Sequence, residues 1–113
     1  MLKIREVEIK FGSIEDMKRE ILEGKEIKKK HVIYLPDAKI FSKIFSPKRI
    51  ELLRAIRENP ELGVSELAEL LGRKQEAVSR DISFLRAWGV IETDVEDKKV
   101  LTTSIPGKIV VEI

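Results

Sequence analysis

The sequence predicts an α+β fold, and three observations carry that prediction. Apolar residues alternate with polar ones near both ends of the chain. Between residues 37 and 88 they recur at helical spacing instead, and glycines or prolines stand where one pattern gives way to the other. At 113 residues, 42% hydrophobic and 37% charged, the chain has the size of one ordinary domain and enough apolar surface to bury a core.

The elements follow in order. In MLKIREVEIKF, Val7, Ile9 and Phe11 alternate with charged residues, which gives a half-buried strand over residues 2–11 rather than a signal peptide. Gly12 ends it. Ser13 is placed to cap a helix, with Asp16 three positions on as a shortened capping-box partner. Ile14, Met17, Ile21 and Leu22 mark that helix, and Gly24 stops it. Lys25 to Lys30 reads as a charged, solvated loop. HVIYLP, residues 31–36, is a short apolar strand closed by Pro36 and Asp37. Residues 1–36 therefore form a strand–helix–strand extension, whose expected use is dimerisation.

From Asp37 the period is helical. Asp37 caps a short helix carrying Ile40, Phe41, Ile44 and Phe45, and Ser46-Pro47 punctuates it, with Pro47 suited to the first turn of the next helix. That helix runs to about Glu58 with Ile50, Leu53 and Ile56 inward, and Asn59-Pro60 ends it. A further helix begins at Ser65, carries Leu67, Ala68 and Leu71, and breaks at Gly72. The next covers about 75–88 and stops at Gly89. Two strands, about 90–95 and 99–104, make a hairpin; Pro106-Gly107 then reads as a turn before a last strand, IVVEI.

Helix, helix, glycine corner, helix and hairpin is the order of a winged helix-turn-helix domain, expected here over residues 37–113. The spacing is more specific than the order. Ala68, four residues before Gly72, lets two helices cross closely. Val78, six after it, plugs the gap between them, and Ile82 and Leu85 continue the seam. Over 27 residues, ELAELLGRKQEAVSRDISFLRAWGVIE resembles winged helix-turn-helix transcriptional regulators, with wording closest to the MarR-like and DeoR-like groups. SPKRIELLRAI, SELAELLGR, VSRDISFLRAWGVIE and IPGKIVVEI together resemble a family of short prokaryotic predicted transcriptional regulators, some of them antitoxin-like. That resemblance implies the N-terminal extension, a C-terminal strand and a DNA-binding regulator. Trp88 and an acidic wing are the departures from its pattern.

The helix at about 75–88 divides by face. With Val78 at zero and about 100° per residue, Ile82 and Leu85 fall near it. Glu76, Ser79, Arg80 and Ser83 point the opposite way, and Arg86 lies at the edge. The resemblance puts that outer face in a major groove. Arg80 then suits a guanine edge, Gln75 an adenine, and Ser79 or Ser83 a base or a phosphate. Arg73 and Lys74 stand at the positive helix N-terminus, where phosphate is favoured. Asp81, near the seam, is expected to anchor Arg73, Lys74 or a backbone donor, and Glu76 to be a solvated bystander. Trp88, Phe84, Phe41 and Phe45 are expected in the core.

The net charge of +2 does not by itself announce a nucleic-acid binder. With no cysteine, disulfides and zinc–thiolate sites are excluded, and the cytoplasm is the expected compartment. No apolar run approaches the roughly 20 residues of a membrane span. His31 is the only histidine; Asp94, Glu96 and Asp97 lack the glycine and terminal glutamate of a calcium loop; no glycine-rich phosphate loop or nucleophile–base pair occurs. The chain is therefore expected to be no enzyme, with no catalytic residues, metal or cofactor. The expected partner is double-stranded DNA, bound by a homodimer acting as a repressor. The rival is a winged protein–protein module, favoured by the acidic hairpin, while RNA binding lacks an aromatic platform.

Overall fold

In the computed structural model, which describes residues 2–23 and 31–113, one four-stranded sheet organises an α+β domain. The order along the chain is β1 (Lys3–Phe11), α1 (Ile14–Leu22), β2 (His31–Leu35), α2 (Ala38–Ile44), α3 (Pro47–Glu58), α4 (Val64–Leu71), α5 (Gln75–Ala87), β3 (Glu92–Glu96) and β4 (Lys99–Glu112). The expected stop at Gly24 and the charged stretch Lys25 to Lys30 lie outside the described residues.

The sheet order is β2-β1-β4-β3, with β1 parallel to both neighbours and β3 antiparallel to β4. The two outer strand segments of the sequence thus pair with each other inside one chain, and β1 has a partner on each side. Alternation along β1 puts Val7 and Ile9 into the core, opposite His31 and Ile33 on β2. Helices α2 to α5 bring Ile44, Leu52, Ile56, Leu67, Val78 and Leu85 into the same core. A single apolar cluster thus spans both sides of the Pro36-Asp37 boundary. The aromatic residues expected inside, Phe41, Phe45, Phe84 and Trp88, all pack against it.

Local chemistry fixes the helix starts. Ser13 Oγ accepts from the Asp16 amide while the Asp16 carboxylate accepts from the Ser13 amide at 2.8 Å, completing the capping box. Asp37 accepts from the Ile40 amide at 2.9 Å, and Ser46 caps α3 directly before Pro47. Helix α4 starts one residue earlier than Ser65 suggests. Gly63 is its N-cap, and Glu66 reaches back to the Gly63 amide. On α3, Leu52 and Ala55 join Leu53 and Ile56 in the core, whereas Ile50 is only half-buried.

The largest departure from expectation is at Pro106-Gly107. The pair makes no turn: β4 runs unbroken for 14 residues, with a bulge where Arg5 lies opposite Pro106 and Glu6 opposite Lys108. A bulge leaves one residue out of the ladder. Here it accommodates a proline without an N–H, and a Cβ on Gly107 would stand 2.4 Å from Ile4 Cγ2. The first part of β4 completes the hairpin with β3; the second part pairs with β1. Asp97 and Lys98 both have positive φ, as the tight turn of a two-residue hairpin requires.

Lys99, at the start of β4, donates to Glu66 on α4 and so pins the hairpin to the helical layer. That bond, followed by the one from the Gly63 amide, holds the Glu66 carboxyl below the ordinary glutamate value. A depressed folded-state pKa contributes stability above the unfolded value, about 4.3, and loses it as pH falls through the folded value. The melting temperature should therefore fall on acidification below about pH 4.3, and Glu66→Gln should flatten part of that acid limb in a series of thermal melts.

Candidate nucleic-acid interface

Helices α4 and α5 meet at a corner closed by backbone bonds around Gly72. Gly72 adopts the left-handed conformation, φ 63°, its amide bonds the Glu69 carbonyl, and the Arg73 amide bonds the Ala68 carbonyl at 2.9 Å. The same pair of bonds ends α5. Gly89 bonds Arg86, and Val90 bonds Leu85 at 3.0 Å, with Val90 and Leu85 both buried. Within this frame Ala68, Val78, Ile82 and Leu85 are buried as the spacing predicts, Val78 and Leu85 completely. The helix ends at Ala87, with Trp88 as its C-cap.

The seam alone does not fix how α5 is rolled about its axis. Asp81 does that. Its side chain, 12% exposed, accepts from Arg73 Nη2 at 2.7 Å and from Arg49 Nε at 3.2 Å. Arg49 also donates to the Lys43 carbonyl at the end of α2, and its guanidinium lies 4.2 Å from the centroid of the Phe84 ring on α5. One carboxylate thus joins α3, the corner and α5. Of the partners expected for Asp81, it holds Arg73, and this turns the Arg73 guanidinium, expected at phosphate, toward the carboxylate. The Arg73 side chain is 17% exposed and turned into the domain, where Nη1 is buried without a hydrogen-bond partner among the described residues.

With α5 held in this roll, Lys74, Gln75, Glu76, Ser79, Arg80 and Ser83 are all exposed, and so is Arg86 at the edge. Arg86 Nη1 donates to Thr93 Oγ1 at 3.3 Å, which ties it to β3. On the opposite flank, Lys43 Nζ lies 5.7 Å from the Phe84 ring centroid and adds an exposed cation that helical spacing within α5 does not show. The two flanks therefore differ. The α2 end is cationic; the hairpin carries Glu92, Asp94, Glu96 and Asp97, of which Glu92 is paired with Arg5 at 2.8 Å. Only Glu76 places a carboxylate on the outer face itself.

His31 is accounted for structurally. Its Nε2 lies 2.6 Å from the Gly89 carbonyl, which can only accept, so Nε2 carries the proton and ties β2 to the end of α5. Among the described residues no group of three or more histidines, cysteines or carboxylates is placed to hold a metal, and no helix is long and apolar enough to cross a membrane.

The profile of the HVO_A0114 family matches residues 44–106, more than half of the chain. The chain belongs to that family. The HVO_A0114 match begins at Ile44 in the last turn of α2 and ends at Pro106 in the bulge of β4. It therefore takes in α3, the α4–α5 corner, the Asp81 cluster and the hairpin, while β1, α1 and β2 stand outside it. Comparison with curated proteins gives no match.

Two stability measurements check this geometry. Asp81→Ala leaves two mostly buried guanidinium groups without their carboxylate and should cost about 3 kcal/mol in denaturant unfolding; Arg73→Ala should cost less, because Arg49 keeps its partner. Gly72→Ala meets no atom within 4 Å, so its cost of about 1–2 kcal/mol should come from the left-handed backbone alone. An asparagine there should recover part of that loss.

Proposed function

We propose that this chain is a winged helix-turn-helix regulator that binds double-stranded DNA in a sequence-specific manner and represses transcription. The observation that carries this reading is the outer face of α5, where a buried ion-pair cluster fixes the roll of the helix. Lys74, Gln75, Ser79, Arg80 and Ser83 are left exposed there with a single carboxylate, Glu76. In this reading the N-terminal half of α5 enters the major groove. Arg80 donates its two-pronged guanidinium to a guanine edge, Gln75 pairs with an adenine, and Lys74 meets phosphate at the positive end of the helix. Arg73 acts behind the interface, holding the corner through Asp81. Lys43 supplies a phosphate contact from the α2 flank, and the hairpin, with its acidic tip, stays clear of the backbone.

One such domain offers little surface, so operator-grade affinity calls for two. A homodimer would set its two α5 helices about 34 Å apart, one turn of DNA, on a near-palindromic site. The protein–protein alternative is favoured by one observation, the exposed acidic hairpin with Val95 65% accessible at its edge.

Salt separates these readings. Selection from genomic fragments followed by footprinting should yield half-sites one helical turn apart. Binding to the selected site should weaken with a log–log slope near −0.9 per phosphate neutralised. Arg80→Ala should cost about 1–3 kcal/mol on that site and relax its sequence preference, while Lys74→Ala should weaken all sequences alike and reduce the slope by about one. Arg73→Ala should lower the melting temperature and leave the slope unchanged. A flat salt response together with a stable protein partner would overturn the DNA reading in favour of the interaction module.

A further inference from the structure

Helix α3 has two working faces. Leu52, Leu53, Ala55 and Ile56 enter the core, and Leu53 also belongs to a stripe with Ile50, Arg54 and Arg57, spaced i, i+3, i+4 and i+7, that lines the side toward the second part of β4. Between that stripe and the strand lies an open cleft of about 310 Å³. Its floor is apolar, made by Ile50, Leu53, Pro106 and Ile109. Its rim is cationic, made by Arg54, Arg57 and Lys108, and no lining residue is acidic. Pro106 and Gly107, the residues at the bulge, form part of the strand side of this cleft.

Among the described residues, Lys108 is the one rim cation with a carboxylate within 4 Å. Arg57 Nη1 donates to the Gly107 carbonyl at 3.3 Å, a neutral acceptor. Lys108 Nζ stands 3.8 Å from Glu6 in a pair whose lysine is 74% exposed, and Arg54 is exposed. Three cations around an apolar floor repel one another, and an anion placed among them relieves that repulsion. A planar guanidinium matches a carboxylate with two parallel hydrogen bonds, which adds geometry to charge.

We propose that this cleft binds a small amphipathic carboxylate, its head group held by Arg54 and Arg57 with Lys108 nearby, and its short aliphatic body lying on the apolar floor. A volume near the lower end of ligand cavities, which run from about 300 to 1,000 Å³, suits a short acyl chain and not a nucleotide. The cleft is lined by α3 and β4 alone, so its occupancy is measured without DNA and does not rest on the function proposed above.

The full-length chain, isotope-labelled, is titrated in separate series with sodium octanoate, 1-octanol and sodium acetate while backbone amide shifts are followed. Octanoate should give saturable shifts centred on Gly107, Lys108 and Ile109, and neither octanol nor acetate should saturate over the same range. Arg54→Gln together with Arg57→Gln should raise the octanoate Kd about tenfold or more, with the rest of the spectrum unchanged; the single exposed change Arg54→Gln should give a smaller rise in the same direction. The proposal is overturned if octanol saturates as octanoate does, if the arginine variants bind as tightly as the parent, or if the shifts centre on exposed Ile21 and Leu22 of α1.

Discussion

The Asp81 carboxylate sits between two guanidinium groups that reach it from opposite directions along the chain. Arg49 comes from the first turn of α3 and Arg73 from the corner before α5. Apolar contacts such as those of Val78, Ile82 and Leu85 are non-directional, so a helix packed by them alone can roll by a fraction of a turn at small cost. Charge-assisted hydrogen bonds at 2.7 and 3.2 Å permit no such roll. Everything α5 presents to solvent follows from that constraint, because Ser79, Arg80 and Ser83 take their direction from the same backbone that carries Asp81.

The sheet meets this helical cluster through a few directed contacts laid over a large apolar one. Val90, Ile91 and Ile105 carry the hydrophobic burial where the hairpin leaves α5. Lys99 to Glu66, Arg5 to Glu92 and Arg86 to Thr93 are partly or wholly exposed, and each such contact is worth little in stability. Their effect is orientation: they set the angle of the hairpin against α4 and α5. Consequently the acidic strand β3 stands on one flank of α5 and the cationic end of α2 on the other, and the flanks are not interchangeable.

Features governed by near neighbours were legible in the sequence. Ser13, Asp37 and Ser46 cap because the amide they accept from lies only three residues away, and the Ala68, Gly72 and Val78 spacing follows from helix geometry alone. The α+β class and eight of the nine described elements follow from the same periodicities; β4, read as two strands, is the exception. What escaped depends on distant partners. Arg73 looks like a phosphate ligand until Arg49, 24 residues earlier in the chain, shows that Asp81 already draws cations inward. Pro106-Gly107 carries the composition of a turn, and only the presence of β1 alongside converts it into a bulge in a continuous strand. Helix α4, read as beginning at Ser65, starts at Val64 because Glu66 reaches back to the Gly63 amide. The cleft is lined by residues 50–57 and 106–109, which no local window brings together.

The parallel pairing of β1 with β4 has a consequence for the order in which the chain acquires structure. The strand–helix–strand segment precedes the helices in the chain, but β1 is an interior strand whose second neighbour, β4, follows them. Until β4 is complete, β1 offers an open edge and Val7 and Ile9 lack part of their cover. Closing that pair joins residues about 100 positions apart, a slow step by loop-closure entropy, whereas the α3 to α5 cluster can form from local contacts. Folding should therefore proceed from the helical centre outward, with β1 among the last elements to settle.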